Sequence, residues 1–138
     1  PQGPTGPQGP PGPSTGIPLI GGTSGTSNLV NGRFMGMFAG NQSSTERLVQ
    51  NIMPRAGTVE DFYIFIETAP GGTASWTFTL RKNGADTALT CTVSGTNQIC
   101  SDTTHSVTFA AGDLVSVREA SANGPSNTAG QWTATYQP

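Results

Sequence analysis

Glycine occupies every third position at the start of this chain, at Gly3, Gly6, Gly9 and Gly12. Proline follows each one, at Pro4, Pro7, Pro10 and Pro13. No other feature constrains the fold as tightly. Three polyproline-II strands wind around one another only when glycine returns every third residue to the crowded axis. The period predicts a triple helix that rises about 3 Å per residue, and with it three copies of the chain in the working unit. It breaks at Thr15, which takes the next axial position, while Gly16 arrives one residue late. Because Pro1 lies inside the repeat, residues 1–14 read as the end of a longer stalk.

The chain beyond the stalk is long enough for one domain. The whole chain has 138 residues, a formal net charge of -2 and 10% charged residues. With no basic run, nucleic acid and anionic membrane surfaces are poor partners. No stretch approaches the ~20 apolar residues that a membrane-spanning helix requires, so no membrane insertion is expected. Residues 15–32 form a Gly/Ser/Thr/Asn-rich connector with one apolar knot, Ile17, Leu19 and Ile20. That knot reads either as part of a flexible linker or as a plug where three chains meet. From Arg33 to the end, 33–138, short apolar segments alternate with turn residues. The predicted strands are 33–39, 46–53, 58–67, 75–82, 85–93, 98–101, 105–110, 113–119 and 131–136, and no segment has a helical period. So many short strands in one domain predict an all-β fold, a β-sandwich or jelly roll.

One hairpin is legible in detail. Asn83-Gly84 is the strongest short hairpin signal and favours a two-residue type I′ turn. That turn sets Arg81 opposite Asp86, Leu80 opposite Thr87, Phe78 opposite Leu89 and Trp76 opposite Cys91. Alternation then gathers Trp76, Phe78, Leu80, Leu89, Cys91 and Val93 on one face and Thr77, Thr79, Thr90 and Thr92 on the other. If Gly95-Thr96 forms the next turn, Cys91 lies opposite Cys100 in a non-hydrogen-bonded pair, within reach of a disulfide. The alternatives are that bridge, which implies an oxidising, extracellular setting, or two buried thiols.

Segment 58–67 is apolar on both faces, with Phe62, Ile64 and Ile66 on one and Tyr63 and Phe65 on the other. A sandwich covers one face; a subunit interface would cover the second. Candidate residues for a trimer interface are Phe34, Phe38, Tyr63, Phe65, Trp132 and Tyr136; the alternative is that these rings belong to the monomer's core.

A collagen-like stalk followed by an all-β head resembles the C1q/TNF-like superfamily. The segment Gly112-Asp113-Leu114-Val115-Ser116-Val117 is similar to that family's penultimate-strand G-D-x-V-x-V pattern, and it precedes an aromatic-rich final strand from Trp132 to Tyr136. The stretch Trp76 to Gly84 with Asp86 to Thr90 looks like heads of bacterial and phage collagen-like proteins. The resemblance covers residues 33–138. It implies a homotrimeric jelly-roll head that nucleates the triple helix, located outside the cell on a virion, bacterial or spore surface. Only Pro11 puts proline at the third triplet position, which is closer to bacterial or phage collagens than to hydroxyproline-dependent ones. The resemblance carries over no binding site.

Chemistry is sparse. No phosphate-binding glycine loop opens a helix, and no G-x-S-x-G elbow is present. His105 is the sole histidine, with no ligand cluster in sequence around it. Glu60 and Asp61, adjacent in a strand, point to opposite faces, and Asp102 and Asp113 lie at turns. Calcium requires six or more oxygens, which the sequence does not assemble. No enzyme activity and no cofactor are expected. Two functions remain. In the first, a trimeric fibre tip or surface head binds a host or cell-surface receptor, such as a glycan, through 40–46, 94–98 and 120–130. In the second, the head is a structural cap that trimerises a collagen-like filament on a spore or virion.

Overall fold

The computed structural model describes residues 1–12, 15–23, 27–38 and 42–138. Its strands in chain order are β1 (Ile17–Gly22), β2 (Phe34–Met35), β3 (Gln42–Ser43), β4 (Asn51–Ile52), β5 (Gly57–Ile66), β6 (Ser75–Lys82), β7 (Ala85–Ser94), β8 (Ile99–Asp102), β9 (Val107–Phe109), β10 (Leu114–Ala122) and β11 (Gly130–Gln137). They form two sheets. One has the order β1-β11-β5-β8, with β9 also pairing β5; the other has the order β3-β2-β10-β6-β7, with β4 pairing β10. Every ladder is antiparallel. The two inner faces meet in one core that includes Val59, Phe62, Ile64, Phe78, Leu80, Leu89, Phe109, Val115, Val117 and Trp132.

The predicted strands from 58 onward largely stand; of the described part of the predicted strand 33–39 only Phe34–Met35 pair, and two further readings are corrected. The connector is not a free linker: Ile17 to Gly22 pair along their whole length with β11, and Leu19 enters the core. Segment 46–53 is mostly not a strand. Glu46–Leu48 form a 3-10 turn and only Asn51–Ile52 pair, with Glu46 held by Arg81 of β6 in the same sheet that β3 and β4 join. Position 39 of the predicted first strand, and 40 and 41 of the loop candidate 40–46, lie outside the described residues.

Asn83 and Gly84 have φ of 51° and 80°, as a type I′ turn requires. Arg81 faces Asp86 as predicted. Beyond that pair the register slips between Thr79 and Arg81, so that Phe78 faces Cys91 and Trp76 faces Val93, not Leu89 and Cys91. Thr87 fills the irregularity, donating its hydroxyl to the Leu80 carbonyl at 2.7 Å. The slip is two residues, an even number, so every side chain keeps its face. Trp76, Phe78, Leu80, Leu89, Cys91 and Val93 are all buried, while Thr77 meets Thr92 and Thr79 meets Thr90 on the outer side.

Strand β5 carries a second bulge. Its register with β11 shifts by one residue between Thr133 and Thr135, and Asp61 takes a φ of 51° there. One extra residue turns Val59 to the same inner face as Phe62, which is why both are fully buried.

Cys91 and Cys100 are bridged, with Cα atoms 5.8 Å apart. The route differs from the hairpin expectation. After Ser94 the chain crosses from one sheet to the other, and Cys100 pairs with Ile64 of β5. The disulfide therefore joins the two sheets rather than neighbouring strands of one. Closing a loop of sequence separation 9 contributes about 2–3 kcal/mol in the chain-entropy picture.

Candidate assembly interface and distal loops

Strand pairing sets the outer face of the β1-β11-β5-β8 sheet in rows. One row runs Ile20, Thr133, Tyr63, Ser101; the next runs Gly22, Gln131, Phe65, Ile99. The apolar members are open: Ile20 61%, Tyr63 45%, Phe65 42% and Ile99 63% exposed. Scattered exposed apolar residues are ordinary; here the large apolar members stand together in one band, interrupted by Thr133, Ser101, Gly22 and Gln131. Gln131 and Thr133 divide the band into two hollows. The larger, about 440 Å³, lies between Pro18, Ile20, Met37 and Phe38, and the smaller, about 190 Å³, beside Tyr63, Phe65 and Ile99.

The six sequence candidates separate into three places. Tyr63, Phe65 and Phe38 border these hollows. Phe34 lies on the outer side of the other sheet, with the Arg81 guanidinium 5.3 Å above its ring. Trp132 and Tyr136 are corrected to the monomer's own core, at 0% and 4% exposed. Trp132 donates its indole N–H to the Gly36 carbonyl, and the Tyr136 hydroxyl donates to the Arg55 and Ala56 carbonyls. Their alternation with Gln131, Thr133 and Thr135 was the available signal, because one face of β11 is polar and the other is not. Pro18, Ile20, Met37 and Ile99 also line these hollows; Ile20 belongs to the apolar knot that the sequence offered as a plug between chains, and the other three were not among its candidates. Ile99 was detectable as the neighbour of Cys100, facing the opposite way.

The outer side of the second sheet is closed by its own chain. Arg81 pairs with Glu46 at 3.0 Å and with Asp86 at 2.6 Å, and Arg118 reaches Asp86 at 2.7 Å. Ser116 donates to Glu46 at 2.8 Å. Burial pushes the Glu46 carboxyl up, but the hydrogen bonds from Arg81 and Ser116 outweigh it and hold Glu46 below its ordinary value.

The loops at the end of the sandwich away from Ile17 interlock. Gly71 donates to the Gly95 carbonyl, Ser126 to the Pro70 carbonyl, and the Asn123 amide to the Thr73 carbonyl. Two expected loops, 94–98 and 120–130, thus meet, joined by 67–74, which the sequence reading missed. The described part of 40–46 does not join them; Glu46 packs on Arg81 beside the 83–84 turn instead.

Asp102 and His105 look at first like a catalytic carboxylate–histidine pair, with Nδ1 and Oδ2 2.9 Å apart. The same carboxylate also organises the backbone around it. The buried Asp102 accepts N–H bonds from Thr90, Thr104 and His105, which shape the turn between β8 and β9. Burial raises its carboxyl, but the His105 bond and these N–H groups hold it well below the usual range.

Among the described residues no three His, Cys, Asp or Glu side chains gather as metal ligands, and no helix is long and apolar enough to cross a membrane. No family model and no curated protein matches the chain.

Proposed function

We propose that this chain is a non-enzymatic, homotrimeric surface or fibre-tip protein. Its β head joins three copies, holds the collagen-like stalk in register, and presents its distal loops to a host or cell-surface ligand of the glycan class. The setting is extracellular, on a virion, bacterial or spore surface. The observation that carries this is continuity: in the sequence the Gly-X-Y segment precedes β1, the edge strand of the sheet whose outer face exposes Ile20, Tyr63, Phe65 and Ile99.

Two further points support it. A Cβ built at Gly3, Gly6, Gly9 or Gly12 meets nothing within 4 Å among the described residues; the glycine period itself, which a triple-helix axis demands, is what supports three neighbouring chains here. Counting β8 and β9 as one interrupted strand and setting aside two-residue β3 and β4, the eight strands fall in the orders first-eighth-third-sixth and second-seventh-fourth-fifth. That is jelly-roll order, the fold that the C1q/TNF-like resemblance implies.

The second reading, a purely structural cap, draws on one observation: both hollows lie on the face that assembly would cover. The experiment is a glycan array probed with the full chain and with a variant shortened within 124–127, each checked by sedimentation. The binding reading expects three-chain particles in both and signal only with the intact loop. Three-chain particles without array signal would leave the cap.

A further inference from the structure

We infer that Asn123 is a site of spontaneous covalent modification: the Gly124 nitrogen attacks the Asn123 side-chain amide, and water opens the resulting ring to an acid on the distal loop. Asn-Gly occurs three times in the chain, at Asn31-Gly32, Asn83-Gly84 and Asn123-Gly124. Glycine has no Cβ to shield its nitrogen from the preceding side chain, so each step carries the same chemistry. The structure separates the three by what holds the reacting atoms.

At the first step both reactants are held. Gly32 donates its N–H to the Glu119 carbonyl at 2.9 Å, and Asn31 Oδ1 accepts the Ser121 N–H at 2.9 Å. At the second the side chain is tied at both ends: Asn83 Oδ1 accepts the Leu114 N–H at 2.8 Å, and Nδ2 donates to Asp113 at 2.9 Å. Its backbone is clamped as well, because Lys82 pairs with Ala85 across the turn. Ring closure requires the asparagine to rotate about its Cα–C bond, which a two-residue hairpin turn resists. Asn123 differs on every count. Strand β10 ends at Ala122 and β11 begins at Gly130, so no ladder spans the step. Asn123 and Gly124 are both exposed. Among the described residues the Gly124 N–H has no acceptor, and the Asn123 side chain makes one bond, from Nδ2 to the Thr73 carbonyl at 3.1 Å.

The atoms balance without an oxidant or an enzyme. The Gly124 nitrogen gives up its proton and bonds to Asn123 Cγ; the Cγ–Nδ2 bond breaks, and Nδ2 leaves with that proton as ammonia. Water then adds to the five-membered imide, its hydroxyl to one ring carbonyl and its proton to the ring nitrogen. Opening at Cγ gives aspartate, and opening at the backbone carbonyl gives isoaspartate. Either carboxylate has no hydrogen to donate to Thr73, so the reaction adds a negative charge to 120–130 and removes its side-chain tie to 67–74. The chemistry holds whether or not these loops bind a ligand.

The experiment holds the full, disulfide-bridged chain at neutral and at mildly alkaline pH and follows each step by peptide mass spectrometry with electron-transfer fragmentation, which tells isoaspartate from aspartate. We expect acid at 123 to form about tenfold faster than at 31 or 83, whose reaction waits on local opening, and to form faster at the higher pH, where the attacking nitrogen loses its proton more readily. In denaturant the three rates should draw together. Asn123→Gln, whose ring would be one atom larger, should yield no product at 123. Hydrogen exchange at the Ser126 N–H, which bonds the Pro70 carbonyl, should quicken in the aged chain and in Asn123→Asp. Equal rates at the three steps of the folded chain, or a faster one at 31 or 83, overturn the assignment. An order that persists in denaturant overturns its structural cause, and unchanged Ser126 exchange overturns the loosening of the loops.

Discussion

On the outer side of the β3-β2-β10-β6-β7 sheet, Arg81, Glu46, Asp86, Arg118 and Ser116 satisfy one another, and threonines pair across β6 and β7. On the outer side of the β1-β11-β5-β8 sheet, Ile20, Tyr63, Phe65 and Ile99 face outward with no such partners. One chain thus closes one sheet and leaves the other open. On the assembly proposed above, the difference separates two energies that a sandwich usually mixes: the polar side would concern folding of one copy, and the apolar side contact between copies.

The largest test is at the edge of the open sheet. Removing residues 1–14 should leave the head folded, because those residues precede β1. Removing 1–30 deletes β1, takes Leu19 from the core and bares the β11 edge. Leucine loss from a core alone costs about 2–5 kcal/mol, and six paired positions go with it. We expect the shorter deletion to melt cooperatively and the longer one to lose its cooperative transition by dichroism. If both melt alike, β1 is not part of the head.

A charge on each outer face gives the next largest contrast. Tyr63→Lys should convert three-chain particles into single chains at micromolar concentration, since an unpaired charge at an interface centre costs several kcal/mol. Thr92→Lys, on the closed side, should leave the sedimentation mass unchanged. Equal behaviour of the two variants would erase the distinction between the faces.

Legibility in the sequence divides along the same line. Alternation is local, so the two faces of the 76–93 hairpin and of 62–66 were readable without knowing their neighbours. Parity even survived the slip at Thr87, because a two-residue slip returns each side chain to its face. Sheet membership is not local. Nothing near Gly95 says that the chain changes sheets before Cys100, so the disulfide was readable and its architecture was not. The β1 strand was hidden for a related reason: its glycines resemble a linker, yet Gly21 is small because a Cβ there would strike the Trp132 indole and the Gly36 carbonyl. The Arg81–Asp86 half of the polar network was visible across the turn, whereas Glu46 arrives from a distant segment.

On the closed face, Arg81→Met should remove the cation between Glu46 and Asp86. Glu46 and Arg81 are largely buried, with side chains 14% and 13% exposed, so the loss should be about 2–3 kcal/mol, below that of a fully buried pair. The Glu46 carboxyl should then titrate higher, since its main cation is gone. Chemical denaturation should show this loss without any change in the number of chains per particle. A variant that came apart into single chains would show that the two faces are coupled.

The smallest effect lies beneath the closed sheet. Glu119 is fully buried on the core side of β10. The Gln42 amide donates to it, as does the Val30 N–H, and Arg33 is the nearby cation. Its second oxygen has no partner among the described residues. Burial pushes its carboxyl up to about 7, against the bonds from Gln42 and Val30. An unfolded glutamate titrates near 4.3. Below that value both states hold the proton and nothing is lost. Between it and about 7 only the folded state holds the proton, so stability falls as pH rises, and above 7 the loss is complete. Asp102 has the opposite sign: held low, it favours the folded state above the ordinary carboxylate range and loses that contribution in acid. The difference between wild type and Glu119→Gln across pH 5 to 8 therefore isolates Glu119, because every other titrating group is common to both. The full shift, at about 1.4 kcal/mol per unit, sets a ceiling of about 4 kcal/mol; because the amide of Glu119→Gln brings an N–H₂ of its own into the buried site, we expect stabilisation of roughly 1–3 kcal/mol at pH 8, and much less at pH 5. Since Glu119 is inside the sandwich and not on the apolar face, the same scan should leave the number of chains per particle constant; a pH-dependent change in that number, abolished by Glu119→Gln, would tie the core to the interface and end the separation of the two energies.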